Sequence, residues 1–334
     1  MHLPNNLSKK ILAWYDNNHR SLPWRVSNKS KNALYYRILS EFMLQQTQVK
    51  TVLPYFKKFT TQIPSLKKLA KTNKKKILKL WEGLGYYRRA RNLLETSKIL
   101  VKKYKNTLPK DYNELVKFPG IGDYTANILL ALIHNKPAIA LDGNVKRVFS
   151  RILNKNEKTI NFKKLIEKNR YNLFKTNRNS AFAEALMEFG ALVCKPQEPN
   201  CSDCLLKSEC KYFKTKKKFI KTKLEKDIVK KYNLFCYINK NKKQIALTKK
   251  NKLGFLNDFY LPPMQLATHK QKLKSWKYHS KFNNHISNKK LYINLYYKFT
   301  LKNPSDCKWF SLRKNYEFIP SFTKKIFKQI SNLN

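Results

Sequence analysis

Residues 117–130 read KFPGIGDYTANILL, and this stretch decides how the first half of the chain is built. A proline stops the preceding helix, and Gly120 and Gly122 stand directly ahead of an apolar helical run, in a chain with only seven glycines. Both glycines permit positive φ, and a helix that begins at Asp123 or Tyr124 exposes its first N–H groups. The stretch therefore predicts a turn that presents backbone donors to a phosphate, with an unliganded αα-turn as the alternative.

The formal net charge of +51 over 334 residues narrows the class of partner. Such a field attracts polyanions and holds them without sequence preference, which favours nucleic acid or another anionic surface. Lys and Asn are both frequent, and an A/T-rich genome would also produce that bias without selection for charge.

The compartment and the role of the cysteines follow from what the sequence lacks. The first 30 residues contain no signal-like apolar core, and the longest apolar run, Ile128–Ile133, is too short for a membrane span. We expect a cytoplasmic, nucleoid-associated protein whose thiols stay reduced, so that its six cysteines point to metal rather than disulfides.

Helical periodicity dominates residues 7–213 and predicts an all-α domain over residues 1–213. A proline at Pro54 is expected to close the region after the first helix. The predicted helices are Leu34–Val49, Leu66–Trp81, Arg88–Tyr104, Tyr124–His134, Val145–Leu153 and Ala181–Val193.

A second, smaller α+β domain is predicted over residues 232–334, after a basic linker at 214–231 that has no apolar period. Tyr232–Ile238 and Gln244–Thr248 form a candidate β-hairpin, and Leu291–Leu301 alternates as a half-buried strand. Phe322–Ile330 has the spacing of a terminal helix.

Four cysteines close the helical half in the pattern C-x6-C-x2-C-x5-C, at Cys194, Cys201, Cys204 and Cys210. Four thiolates in so short a segment, 194–210, suit an iron–sulfur centre or zinc. Zinc sites with four cysteines usually come as two close pairs, and only one close pair is present, which favours an iron–sulfur centre.

These motifs together resemble the helix–hairpin–helix DNA glycosylases. PGIGDYTA is similar to their hairpin, LDGNVKRV (Leu141–Val148) supplies the following aspartate, and the cysteine spacing is that of their iron–sulfur members. LPWR (Leu22–Arg25), SEFMLQQTQV (Ser40–Val49) and WEGLGYYRRARNL (Trp81–Leu93) are similar to the adenine DNA glycosylase (MutY-type) family. The resemblance implies a catalytic domain of two helical modules with one 4Fe–4S cluster, acting as a monomer on double-stranded DNA.

Two carboxylates can divide the chemistry of breaking an N-glycosidic bond, one protonating the departing base and one stabilising a cationic sugar. Glu41 lies among apolar residues, so burial would raise its pKa, and Asp142 stands at a predicted helix start that favours its ionised form. A surface residue and an ordinary N-cap are the plain alternatives. The family resemblance assigns Glu41 as the acid and Asp142 as the stabilising carboxylate.

The same resemblance assigns the contacts with DNA. Gln46 and Tyr86 would fill or wedge the duplex. The alternative for Tyr86 is an aromatic residue of the core. Gln45, Gln46 and Gln48 are expected to continue the helix of Glu41. Gly120 and Gly122 would grip the backbone. Trp24 and Arg25 would border the base pocket, and Lys146 would reach a phosphate.

Tyr124 separates two activities. Bifunctional relatives have a lysine here that attacks the sugar as a Schiff-base nucleophile, and a phenol cannot form that imine. The chain is therefore expected to remove a base and leave the strand intact, with an endonuclease III-like glycosylase/lyase and a non-catalytic iron–sulfur DNA-binding protein as the other hypotheses.

The second domain resembles, more loosely, the Nudix-like lesion-recognition domain of the same family. Residues 252–265 correspond to its Gly-rich turn, although no Gly-rich helix with clustered glutamates follows, which excludes nucleoside diphosphate hydrolysis. The family's oxoguanine-reading Phe-Ser-His has its nearest match at Ile286-Ser287-Asn288, with only Ser287 retained. We expect adenine opposite 8-oxoguanine or guanine as the target, with reduced preference between the two.

Overall fold

The computed structural model describes residues 1–215, 228–251, 253, 256, 259–267, 273–286, 289–313, 316, 319–331 and 333. The chain divides into two compact units, residues 1–219 and 220–334, and the division lies within the segment assigned to the linker. The first strand begins at Ile228, so residues 228–231 belong to the sheet and not to the linker. They are held there because they pair with the start of a neighbouring strand at Lys289–Tyr292.

The first unit is helical, as predicted, and within the described residues it contains no strand. Besides a 3₁₀ turn at Glu157–Thr159, its elements are α1 (Leu7–Asn18), α2 (Ala33–Leu44), α3 (Val49–Gln62), α4 (Leu66–Lys71), α5 (Lys74–Leu80), α6 (Arg88–Lys103), α7 (Tyr112–Leu115), α8 (Asp123–His134), α9 (Gly143–Leu153), α10 (Phe162–Lys168), α11 (Arg170–Leu173), α12 (Asn179–Leu192) and α13 (Lys211–Lys214).

Two of the expected helices are broken. The helix of Glu41 ends at Leu44, and Gln46 has φ +57°, so the glutamines form a turn and do not continue the helix. Pro54 lies inside α3 and does not end it. The stretch Leu66–Trp81 divides because the side chain of Asn73 accepts a hydrogen bond from the Lys76 N–H (2.8 Å) and caps α5.

Two apolar cores divide the helical unit into two modules. The first is built on α2–α6 and α8 around Phe42, Phe59 and Trp81, and the second joins α1 to α9–α12 around Ile11 and Phe149. In the second, a Cβ on Gly190 would lie 2.6 Å from Asn144 Cβ, so glycine allows α12 to approach α9 closely. The helices that meet between the two cores carry the candidate site.

The second unit is a mixed sheet with one helix against it. Its strands lie in the order β4-β5-β1-β2-β6, with β3 on β1, and β1 runs parallel to β5 while the other pairs are antiparallel. The predicted hairpin, strand and terminal helix are confirmed. The elements are β1 (Ile228–Asn239), β2 (Gln244–Leu247), β3 (Met264–Leu266), β4 (Lys277–Ile286), β5 (Lys289–Phe299), β6 (Lys308–Ser311) and α14 (Ser321–Ile330).

In the described part of the chain, no helix is both long enough and apolar enough to cross a membrane.

Candidate functional site

Glu41 lies in the last turn of α2 and is 7% exposed. Burial raises the pKa of its carboxyl to about 7, the negative charges of Glu184 and Asp142 act in the same direction, and Arg37 opposes them. The sequence allowed Glu41 to be either a buried acid or a surface helix residue, and its burial excludes the surface alternative. A carboxyl in this environment can hold a proton at neutral pH and release it to a bound group.

Asp142 is the N-cap of α9, and both of its carboxylate oxygens are bonded. Oδ1 accepts from the Val145 N–H (2.7 Å), and Oδ2 accepts from the side-chain amide of Asn144 (2.7 Å). The N-cap interpretation is therefore correct. Because the helix start and the two donors interact favourably with negative charge, this geometry suits a carboxylate that stabilises a nearby cation.

Tyr124 lies in the first turn of α8, and the carboxyl groups of Glu41 and Asp142 both act on its phenol electrostatically. Burial raises the pKa of its phenol well above the usual range, and the charges of Glu41 and Asp142 raise it further. Its hydroxyl donates to Met187 Sδ at 3.4 Å. The structure thus brings together three residues that are far apart in sequence, and keeps the phenol protonated.

An ion-pair network that sequence reasoning missed lies behind Glu41. Glu188 accepts from Arg20 Nε (2.7 Å) and Arg25 Nη2 (2.9 Å), and Glu184 pairs with Arg37, one turn before Glu41. Burial opposes ionisation of Glu188, but hydrogen bonds from Arg20 and Arg25 lower its pKa to about 2. The available signal was two glutamates four residues apart on an otherwise apolar helix.

Trp24 and Arg25 are both held within the helical unit by contacts with other residues. Trp24 is 4% exposed and packs edge-on against Phe56, with ring centroids 5.2 Å apart. The Arg25 guanidinium is held by Glu188 and by Glu184, the latter at 3.8 Å. Both residues support the helices around the site, and their place at the border of the base pocket stays a prediction.

The hairpin between α7 and α8 contains two glycines, one with a positive φ and one with a negative φ. Gly120 has φ +80°, and a Cβ there would lie 2.8 Å from Phe42 and Asn92. Gly122 has φ −98°, which any residue can adopt, so of these two glycines Gly120 is the one that uses the freedom to take a positive φ. Nothing lies within 4 Å of the position of its missing Cβ. Gly122 is the N-cap of α8 and leaves an open approach to the first N–H groups of that helix.

The side chain of Gln45 joins the end of α2 to this hairpin. Its Nε2 donates to the Gly120 carbonyl (3.1 Å) and to Thr125 Oγ1 (3.3 Å). Thr96 holds the hairpin from α6 through a hydrogen bond to the Pro119 carbonyl (2.9 Å). Gln45 thus connects the helix that carries Glu41 to the hairpin that is the candidate phosphate-binding turn.

Gln46 and Tyr86 are exposed, and both have left-handed backbone conformations, with φ +57° and +47°. Tyr86 is 41% exposed, which excludes the core-aromatic alternative. A buried Arg89 connects the two turns: its guanidinium donates to the carbonyls of Met43 (2.6 Å) and Gly85 (3.2 Å). Sequence reasoning missed Arg89, because nothing in the sequence distinguishes one buried arginine from the exposed basic residues of the same helix.

Two of the expected DNA contacts, at Lys146 and Ser287, stay predictions. Lys146 follows Asp142 by one turn, and its Nζ lies 5.8 Å from the centre of the Phe162 ring. Ser287 lies outside the described residues, as does most of the segment 252–258.

The four cysteines are partly buried and lie close enough to influence one another. Burial raises the pKa of Cys204 to about 11, and the charges of Cys194, Cys210 and Cys201 add to it. Within the described residues, no three His, Cys, Asp or Glu side chains are grouped so as to hold a metal ion. Arg151 donates to Cys194 Sγ (3.1 Å) and to the Lys195 carbonyl (2.7 Å), which fastens α9 to this segment.

Comparison with known proteins adds to this geometry. Residues 39–175 match the family model described as HhH-GPD superfamily base excision DNA repair protein. An adenine DNA glycosylase of Buchnera aphidicola subsp. Baizongia pistaciae is 36% identical over 296 residues, which cover 85% of this chain and 83% of the relative. The adenine DNA glycosylase of Homo sapiens is 35% identical over 60% of this chain and 38% of its own. A solved thermostable thymine-DNA glycosylase has a TM-score of 0.55 and 25% identity, covering 63% of this chain and 95% of its own.

Proposed function

This chain belongs to the adenine DNA glycosylase family of base excision repair enzymes, and we propose that it hydrolyses the N-glycosidic bond of adenine paired with 8-oxoguanine or guanine in double-stranded DNA. The observation that carries the proposal is the buried Glu41 carboxyl, with its pKa raised to about 7, in the same electrostatic environment as Asp142. An enzyme that must protonate a base at neutral pH needs an acid of this kind.

In the proposed reaction, the adenine first leaves the base stack, which costs a few kcal/mol. Glu41 then donates its proton to the base, the C–N bond breaks, and its electron pair leaves with adenine. Asp142, held by the helix start and by Asn144, stabilises the cationic sugar by its charge. Water adds to the sugar carbon, and the proton it releases restores the Glu41 carboxyl.

The reaction ends with an intact strand because Tyr124 is a protonated phenol hydrogen-bonded to Met187. No amine stands at that position to form an imine with the sugar. Lys146 is the nearest lysine along the chain to Asp142, and it is expected to trap an abasic sugar only incidentally.

One 4Fe–4S cluster is proposed on Cys194, Cys201, Cys204 and Cys210. The donor chemistry fits, since four soft thiols follow α12 in one short segment, and the Arg147 guanidinium, on the helix that Asp142 caps, donates to the Cys194 carbonyl (2.7 Å). A bound cluster would hold this segment as a rigid surface beside α9. Iron and sulfide analysis of the purified protein, repeated on Cys204→Ser, tests the assignment; zinc in place of iron would contradict it.

For the second unit we propose the Nudix-like role of lesion recognition, with Ser287 at the oxoguanine. The altered Ile286-Ser287-Asn288 is expected to weaken the preference for adenine opposite 8-oxoguanine over adenine opposite guanine. We further propose a monomer that acts in the cytoplasm at the nucleoid.

The test is a single-turnover assay on two duplexes, with adenine opposite 8-oxoguanine or guanine, each developed with and without alkali. Adenine release with strand breakage only after alkali supports the proposal. Breakage without alkali supports an endonuclease III-like lyase, and binding without excision supports a non-catalytic DNA-binding protein. A large rate ratio between the duplexes would contradict the weakened preference.

A further inference from the structure

The sheet of the second unit has two faces of different chemistry. Leu234, Ile293 and Leu295 point to the face that α14 covers. The strand register places the alternate residues on the opposite face, where residues directly paired across β4, β5 and β1 point the same way. We call this second surface the aromatic face; its ring-bearing residues are Phe235, Tyr237, Tyr278, Tyr292 and Tyr296, with Trp276 lying against them.

The rings form a continuous row across three adjacent strands. Trp276 contacts both Tyr237 and Phe235, with centroids 4.7 Å apart in each case. Phe235 stacks on Tyr296 at 5.9 Å and 22°, and Tyr296 meets Tyr278 at 5.6 Å. Tyr278, at one end of the row, is 57% exposed. Phe235, in the middle of the row, is 7% exposed, and Tyr237, Tyr296 and Trp276 are partly buried, so flat apolar groups can stack on the row from its open end at Tyr278.

Positive charge surrounds this row. The register places Lys231, Lys281, Lys290 and Lys298 on the aromatic face, and the ammonium groups of Lys281 and Lys290 lie 5.9 and 5.6 Å from the centre of the Tyr292 ring. The sequences of β1, β4 and β5 contain no aspartate or glutamate. The partner that this face suits therefore carries both flat rings and negative charge.

We propose that the aromatic face binds single-stranded nucleic acid, with bases stacked on the tyrosine and tryptophan rings and phosphates near the lysines. A strand with unpaired bases matches both features, since each base offers a π-face and each linkage a charge. A duplex keeps its bases inside the stack and can use only the lysines, and an acidic peptide can use only the lysines as well. This activity goes beyond adenine excision, which takes place in the helical unit.

The test measures binding of the full-length protein to a fluorescein-labelled oligothymidylate by anisotropy over a range of salt concentrations. High salt is informative, because it suppresses the non-specific contribution of the large net charge while stacking persists. Tyr278→Ala is expected to weaken binding by about fivefold or more. Lys281→Ala is expected to reduce the slope of log affinity against log salt by about 0.7.

Two substitutions of the same kind elsewhere serve as controls. Tyr171→Ala removes a 76% exposed tyrosine from the helical unit, and Lys328→Ala removes an exposed lysine from α14. Both are expected to bind as the wild type does. Near-UV circular dichroism of each variant checks folding. Crosslinking of a 5-iododeoxyuridine strand to the wild-type protein, with peptide mapping, gives a measurement that needs no variant and is expected to label residues 276–298.

Wild-type affinity in the Tyr278→Ala/Lys281→Ala variant, or crosslinks confined to residues 1–215, would overturn the proposal. Equal affinity for polyglutamate with the same sensitivity to both substitutions would also overturn it, in favour of a general anion surface. Adenine excision by the same variant is measured in parallel. Loss of single-strand binding with excision unchanged supports this inference, whereas a wild-type protein that binds the strand but excises nothing contradicts only the proposed function.

Discussion

The end of α2 and the start of α9 present the same functional group in opposite surroundings. Glu41 is buried in an apolar helix end, where burial favours the neutral acid, whereas Asp142 sits at a helix N-terminus, where its two oxygens accept hydrogen bonds from Asn144 and Val145. A single fold thus places two carboxyl groups in surroundings that suit the proposed acid and the proposed charge-stabilising carboxylate. The difference teaches that the environment, and not the residue type, assigns the two roles.

Removal of the proposed acid is expected to have the largest effect on excision. Glu41→Gln keeps the shape of the side chain but has no proton to donate, so we expect single-turnover excision to fall by about 10³- to 10⁴-fold with duplex affinity unchanged. Glu95→Gln, on the exposed surface of α6 beside Lys98, is the matched control and is expected to excise normally. Near-normal excision by Glu41→Gln would refute its role as the acid.

Neutralising the other carboxylate is expected to have the next largest effect. Asp142→Asn can still cap α9 but carries no charge for the cationic sugar, so excision should fall by about 10²- to 10³-fold in the same assay. Asp111→Asn makes the same change at the N-cap of α7, where the side chain accepts from the Glu114 N–H at 2.9 Å, and should leave excision intact. Equal losses in both variants would mean that capping, and not charge, explains the effect.

The cost of burying Glu41 should appear in stability. Its folded pKa lies above the usual value of 4.5, so the penalty is absent below pH 4.5, grows as the pH rises to about 7, and is complete above it. Glu41→Gln removes the titration, and we expect its free energy of unfolding to exceed that of the wild type by about 3 kcal/mol at pH 8. Urea unfolding at pH 4 and pH 8 measures this. A variant no more stable than the wild type at pH 8 would show that burial does not raise the pKa of Glu41.

The smallest effect on excision is expected at Tyr124, on which both carboxyl groups act electrostatically. Tyr124→Phe loses only a weak hydrogen bond to Met187, so excision should change by about twofold or less. Borohydride trapping should remain weak in the wild type and in this variant. A strong, product-stoichiometric crosslink that disappears in Lys146→Ala would reveal a lyase that the geometry around Tyr124 does not suggest.

Much of the helical unit could be read along the chain. Apolar periodicity located α6, α8, α9 and α12 to within a few residues, and the motif resemblance to the adenine DNA glycosylases is confirmed. The breaks within Leu34–Val49 and Leu66–Trp81 were missed, because a polar turn of a few residues between helices preserves enough apolar spacing to imitate one helix.

The stretch KFPGIGDYTANILL shows which features local residue types determine and which the tertiary structure decides. The turn, the exposed start of α8 and a phenol in place of an amine were all evident from local residue types, because caps, turns and periodicity depend on neighbours within a few positions. The packing of Gly120 against Phe42 and Asn92, the charges of Glu184 and Asp142 that act on Glu41, and the arginine network of Glu184 and Glu188 came from the folded chain alone. Burial and charge at a site depend on residues more than a hundred positions apart, which no local pattern records.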